Sequence, residues 1–451
     1  MNKTETLDIF KHFFIASKSF SLSLYKLKTH TNMKLKLFII LLNLLIASFT
    51  LSAQNRQGSL DTYLNNYIDN LPGNSGNNYT KPNVNQLNTW SQTIDAILSN
   101  NISLARSIAV DFNYQIISFT DTIHSFGQAY YILEEKSPRI YYWGTYIFSS
   151  APCRNKLIIQ APHPRYDTNT GKQGVFCFSR LNAKALFLSG THRCNNDTLT
   201  NCSGQTKACS SSYSAYRISD NAHNINTAFQ KTTERILLND SSAVFVQLHG
   251  FSKKSTDPYI IMSNGTRFTP THDYVSMIKD ELKKVDTSLT FKIAHINTTW
   301  TRLIAFTNTQ GRFINKSADA CTQAATISKG GFVHMEQEKT KLRQDSAAWY
   351  KMYIALSKVF SCNTNGFSES NKSENKVSIF PNPCNENYIE IKAASITKVE
   401  IYDLNGRRVM DNAFNSSPKI RLRINNIQSG MYLIAIESNN QIIYKKLIIQ
   451  K

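Results

Sequence analysis

KLIIQAPHP (156–164), KALFLSG (184–190), AVFVQLHG (243–250), TFKIAHIN (290–297) and GGFVHMEQ (330–337) are five near-continuous apolar runs. Runs of this length without strict alternation suit strands covered on both faces. The stretches between them supply helices. These are DNAHNINTAFQKTTERILL (220–238), with Ser219 or Asp220 as its cap, HDYVSMIKDELKKV (272–285) and EKTKLRQDSAAWYKMYIALSKVF (338–360). Alternation of this kind predicts an α/β domain over 141–362, built on a mixed, largely parallel sheet flanked by helices. VFCFSR (175–180) reads as one more buried strand, in which Cys177 is merely small and apolar.

Upstream, SLDTYLNNYIDNL (59–71) and VNQLNTWSQTIDAILSN (84–100) carry amphipathic helical patterns. SIAVDFNYQIISF (107–119), YYILEE (130–135) and RIYYWGTYIF (139–148) are rich in β-branched and aromatic residues and read as strands. Residues 54–140 are therefore either an N-terminal accessory region or the first strands of the α/β domain.

In open α/β sheets, sites gather where strands end and loops begin. Three of the runs end in polar residues that can do chemistry. The first gives His163, followed by Pro164-Arg165-Tyr166-Asp167 and the turn-rich TNTGKQG; the third gives His249; the last gives His334 and Glu336. A zinc hydrolase needs imidazoles or carboxylates closing on one ion, a position left for water, and a carboxylate base. His163, Asp167 and His249 can supply the ligands and Glu336 the base, with Glu338 as its rival. One strand-end histidine is more often a satisfied polar residue than a ligand; two, with a carboxylate four residues after the first, favour a metal more strongly. Between them lie GTHRCNN (190–196) and RISDNAHN (217–224). Arg193 and Arg217 could hold a substrate carboxylate through paired donors, or form structural ion pairs with Asp197 or Asp220. His192 and His223 are reserve ligands or substrate contacts, and Asp220 is a candidate helix cap. The chain has no G-x-S-x-G elbow, H-E-x-x-H, Walker loop or G-x-G-x-x-G.

This order of residues resembles the zinc carboxypeptidase and amidohydrolase superfamily, which includes N-formylglutamate amidohydrolase, over about residues 150–360. The resemblance implies zinc held by His163, His249 and Asp167, with Glu336 as general base, in a hydrolase of amide or peptide bonds. Its substrate would be a peptide or an acylated amino acid, held in part by Arg193, Arg217 and His223. The family's usual motif is His-x-x-Glu. Here Tyr166 stands at the acid position and Asp167 follows one residue later, so Asp167 reaches an ion only if its loop bulges. The other reading is a non-catalytic secreted or cell-surface binding protein on the same scaffold.

The C-terminus is the most specific feature. After the polar linker 363–375, apolar–polar alternation with Asn-Gly and Ser-Gly turns predicts a small all-β sandwich over 376–451. FPNP (380–383), YDLNGRRV (402–409), SGMYLI (429–434) and the terminal KKLIIQK resemble the C-terminal sorting domain of the type IX secretion system. That resemblance implies the secretion machinery as partner, passage through the periplasm and across the outer membrane of a gram-negative cell, and a secreted or cell-surface destination.

The other end agrees. From Met33, MKLKLFIILLNLLIASFTLSAQ has two lysines, an apolar run from Leu37 to Leu51, and Ser52-Ala53 before Gln54. This is signal-peptide grammar, and the run is short of the roughly 20 residues a spanning helix needs. Residues 1–32 read as an upstream extension. All eight cysteines fall in the exported part. Disulfides are therefore expected, above all among Cys194, Cys202 and Cys209, with connectivity open.

The 451 residues, 41% hydrophobic and 11% aromatic, suffice for two or three domains and exclude collagen-like, coiled-coil and wholly disordered chains. The formal net charge of +20 raises the question of nucleic acid. Seven lysines against two acids lie in residues 1–53, and eleven basic against six acidic residues in 376–451. Half of the excess thus belongs to the two ends, and with no nucleic-acid motif in the sequence a nucleic-acid partner is not expected.

Overall fold

A computed structural model describes residues 55–123, 128–362, 377–403, 408–439 and 441–450. The expected signal segment and the linker lie outside them. The chain divides into two units, Met1–Ser361 and Cys362–Lys451.

The first unit is built on one ten-stranded sheet. In chain order its strands are β1 (Asn55–Gly58), β2 (Tyr114–Asp121), β3 (Gln128–Glu135), β4 (Thr145–Ser149), β5 (Arg154–Ala161) and β6 (Ala183–Leu188). A separate two-residue pair follows, β7 (Gln205–Thr206) and β8 (Ser214–Ala215), then β9 (Val244–Gly250), β10 (Ile260–Ser263), β11 (Phe291–Ile293) and β12 (Phe332–Gln337). The order across the sheet is β1-β2-β3-β4-β6-β5-β9-β12-β10-β11. Its centre, β6-β5-β9-β12, is parallel, and β10 runs antiparallel to β12. Of the two readings open for the upstream strands, the structure adopts the second: β1 to β4 continue the same sheet.

Helices cover both faces, giving three layers. The helices are α1 (Leu60–Asp69), α2 (Val84–Leu98), α3 (Ile102–Ala109), α4 (Thr170–Leu181), α5 (Ala228–Asn239), α6 (Tyr274–Val285), α7 (Thr309–Ile314), α8 (Lys339–Leu342) and α9 (Ser346–Val359). Strand residues alternate between two cores. Leu157 and Ile159 of β5 and Val246 and Leu248 of β9 pack under α1, α4, α6 and α9. Ile158 and Phe245 face the other way, with Trp90 of α2 and Phe229 of α5.

Three local expectations are corrected. VFCFSR is part of helix α4, with Cys177 buried and free; a short apolar run cannot separate strand from buried helix. The stretch from Ser107 begins as the end of α3, and its strand starts only at Tyr114. The helix of residues 220–238 starts at Ala228 with Thr227 as its cap, so neither Ser219 nor Asp220 caps it.

The second unit is all β. It comprises β13 (Ser378–Phe380), β14 (Tyr388–Tyr402), β15 (Arg408–Arg423), β16 (Gly430–Ser438) and β17 (Gln441–Ile449) in one antiparallel sheet. One edge of the long β14 pairs with β15. Its other edge pairs first with β13 and then, from Ile396 onward with a register shift before Lys398, with β16. The sheet curls over a core of Ile389, Ile391, Val399, Ile401, Ile434 and Ile436. Among the described residues no helix is long and apolar enough to cross a membrane.

Candidate metal centre

The crossover β5-α4-β6 leaves β6 on one side of β5, while β9 lies on its other side. The chain therefore diverges beyond the carboxyl end of β5, and such points open a crevice. His163 stands there, two residues past β5. The Asp167 amide donates to the His163 carbonyl oxygen at 3.1 Å, closing one helical turn. Residues four apart share a face of such a turn, so Asp167 and His163 point the same way. This is the bulge that a ligand in this position requires. Tyr166 is turned outward, edge-on to His192 with ring centroids 4.3 Å apart. The turn exits through left-handed Thr168 and Asn169 into α4. Gly171 is required there, because a Cβ would stand 2.5 Å from Pro164 Cβ and 2.7 Å from its carbonyl oxygen.

Parallel pairing of β9 and β12 sets His249 opposite Glu336 and Gln247 opposite His334. His163 Nδ1 lies 3.2 Å from Asp167 Oδ2, and His249 Nδ1 lies 3.3 Å from the same oxygen. Donor atoms 2.0–2.1 Å from a tetrahedral zinc stand about 3.3 Å apart; both distances to Asp167 Oδ2 match that spacing, and all three donor atoms lie within 4.8 Å of one another. Each imidazole has an acceptor behind it: His163 Nε2 lies 3.1 Å from Asp220 Oδ1, and His249 Nε2 lies 2.8 Å from Gln247 Oε1. Partners of this kind orient metal-ligating histidines. His163, Asp167 and His249 are each 6% exposed or less. The residues present therefore fit a divalent ion.

Glu336 is buried beside them. Its Oε1 lies 3.7 Å from His334 Nε2, and both its Oε2 and His334 Nδ1 lack hydrogen-bond partners among the described residues. His249, His334 and Glu336 form a second group whose donor atoms fall within 4.8 Å of one another.

The electrostatics differ sharply between the two carboxylates. Burial and then the charge of Asp167 push the Glu336 carboxyl up to about 8. Asp167 is buried too, but the charges of Arg193 and His163 and the hydrogen bond from His163 outweigh that cost and hold it well below the usual carboxylate range. Burial lowers His249 to about 4 and takes His334 well below its ordinary value, so both rings are neutral near pH 7. For His163, burial and Arg193 oppose the charged form, yet Asp167 and Asp220 together hold its pKa above the ordinary value.

Of the expected substrate-binding residues, Arg193 enters the site and pairs with Asp167 Oδ1 through Nη2. Arg217 lies apart from it, paired with Asp197. His223 stacks on Tyr216 with centroids 3.6 Å apart, and its Nδ1 faces the Thr307 carbonyl oxygen at 3.1 Å. Glu338 caps α8 through the Thr340 and Lys341 amides, at the start of a helix rather than on β12. Two disulfides, Cys194–Cys209 and Cys202–Cys321, fasten the loop beyond Arg193; Cys153 and Cys362 are also disulfide-bonded. Sequence reasoning missed Gln247 and the contact of Asp220 with His163. A glutamine two residues before a strand-end histidine shares its face, and that signal was available.

Residues 378–450 match the family described as "Secretion system C-terminal sorting domain". A comparison with curated proteins found no match. Among solved structures, the chain is similar to one described as "Putative carboxypeptidase A" from Shewanella denitrificans OS-217. The identity is 9%, over 58% of this chain and 67% of that one, with a TM-score of 0.26. Carried by its last strands, the identification is of a type IX secretion sorting domain at the C-terminus of a secreted or cell-surface protein of a gram-negative bacterium.

Proposed function

We propose that the exported chain is a zinc-dependent hydrolase of amide or peptide bonds, acting on a peptide or an acylated amino acid. The observation that carries this reading is the convergence of His163 Nδ1, His249 Nδ1 and Asp167 Oδ2 at 3.2 and 3.3 Å, with Glu336 beside them, its Oε2 without a hydrogen-bond partner among the described residues. Zinc bound there would polarise a carbonyl and lower the pKa of its water. His163, His249 and Asp167 hold the ion. Glu336 would accept a proton at Oε2 and return it to the leaving amine, which requires the charge of the bound ion to draw its carboxyl down from the metal-free value of about 8. Arg193 uses one nitrogen on Asp167, and the rest of its guanidinium fork faces a substrate carboxylate. His223 contributes at the same rim, and Arg217 lies farther out.

The test uses protein purified without its leader. Peptide and N-acyl amino acid substrates are assayed with and without a chelator, beside metal analysis. One zinc per chain and activity lost on chelation and restored by zinc are expected. A chain with no stoichiometric zinc, and thermal stability indifferent to chelation, would instead fit a binding protein on this scaffold.

A further inference from the structure

We infer that Gln247 is a positioning residue that fixes the tautomer of His249, and that Asn308, the cap of α7, fixes Gln247 in turn. This rests on the metal reading above and deepens it.

Backbone amides and carbonyls have donor and acceptor roles that cannot be exchanged. The Gly311 amide is a donor, so the Asn308 atom facing it at 2.9 Å is Oδ1, and Asn308 Nδ2 is left to face Gln247 at 2.6 Å. The Gln247 atom there must be an acceptor, Oε1. That same oxygen faces His249 Nε2 at 2.8 Å, so His249 carries its proton on Nε2. Its Nδ1 stands 3.3 Å from Asp167 Oδ2, a longer contact than the 2.8 Å hydrogen bond at Nε2, and keeps the lone pair.

Two other anchors give the same answer from the far side of the amide. Gln310 Nε2 donates to the Asn221 carbonyl oxygen at 2.8 Å, which leaves its Oε1 to accept from Gln247 Nε2 at 3.1 Å. Thr233 spends its hydroxyl proton on the Phe229 carbonyl oxygen, so its oxygen accepts from Gln160 Nε2 at 2.8 Å. Gln160 Oε1 then accepts from Gln247 Nε2 at 3.0 Å. All five side chains are at most 1% exposed. No solvent can rescue a flipped amide, and one flip would set donor against donor or oxygen against oxygen at several contacts. His249 is thus delivered with the nitrogen a metal needs already unprotonated.

The experiment reads tautomer and metal affinity separately. Long-range ¹H–¹⁵N correlation spectra of the metal-free, histidine-labelled protein should show His249 as the Nε2–H form. Gln247→Leu removes the acceptor. Asn308→Asp keeps the helix cap and presents an oxygen where Gln247 needs a donor. Each should lose that tautomer preference and bind zinc about 10- to 100-fold more weakly. Circular dichroism selects the variants that fold, and Asn308→Asp, near-isosteric, serves if Gln247→Leu does not. An Nδ1–H form in the parent, or folded variants with unchanged zinc affinity, would overturn the inference while leaving the hydrolase reading intact. A parent that binds no zinc would defeat that reading, and the metal-free spectra would still decide this one.

Discussion

Two carboxylates and two imidazoles, spread over 173 residues from His163 to Glu336, are brought together by local backbone geometry. His163 and Asp167 share a helical turn; His249 and Glu336 share a strand register. Glu336→Gln should lower kcat by about 10²- to 10⁴-fold, the range ascribed to general acid–base groups, with zinc content unchanged by metal analysis. A similar loss of zinc would make Glu336 a ligand instead. The metal-free protein offers an independent readout. In the fold Glu336 keeps its proton up to about 8, whereas the unfolded chain loses it near 4.5. The folded state therefore binds more protons between these values, and its stability falls as pH rises across them. Glu336→Gln should flatten that slope in thermal melts from pH 5 to 8. The strand-end residues His163, His249 and Glu336 were legible because polar groups closing apolar runs stand out. Asp220 and Gln247 were not, because the contact of His163 with Asp220 spans 57 residues and depends on how the loop after β8 returns to the site.

Helix and strand boundaries follow from caps more than from apolar pattern. Asp273 caps α6 through the Ser276 amide, and its Oδ2 lies 2.9 Å from His295 Nε2. Burial opposes its ionisation, but the His295 and Ser276 contacts prevail and lower its pKa below the usual value. Its contribution is thus present above the ordinary carboxylate pKa and lost as pH falls through the lower folded value. Asp273→Asn, which can still cap the helix, should cost about 1 kcal/mol at pH 7 through its lost charged contacts with His295 and Ser276, with the difference from the parent shrinking below pH 4 in denaturant titrations. At the end of β9, a Cβ on Gly250 would meet Arg343 Cζ at 2.2 Å. Arg343 is buried and tied to the carbonyl oxygens of Asp167, Thr168 and Gln337, so it cannot swing aside. Gly250→Ala should therefore destabilise the fold by about 1–3 kcal/mol, read as a lowered Tm, and loosen the Asp167 turn. The α/β alternation was legible at this scale. Helix α4 was not, since its buried face reads as a short apolar run with Cys177 in the middle.

At the scale of the molecule, the chain joins a three-layer α/β unit to a curled β-sheet that serves export. Ending the chain at residue 375 keeps all three expected zinc ligands and Glu336. The shortened protein should fold with the same melting profile and zinc content, but accumulate in the periplasm in cell fractionation. Appearance of the shortened chain in the medium would contradict the assignment of the sorting domain. The +20 of the whole sequence was an ambiguous signal, because charge totals carry no position; half of it lies in residues 1–53 and 376–451. The most direct test of the central claim is a crystal structure of the zinc-loaded protein with anomalous data at the zinc edge. One peak about 2.0–2.2 Å from His163 Nδ1, His249 Nδ1 and an Asp167 carboxylate oxygen is predicted, whereas no peak, or one bound by other side chains, would contradict it.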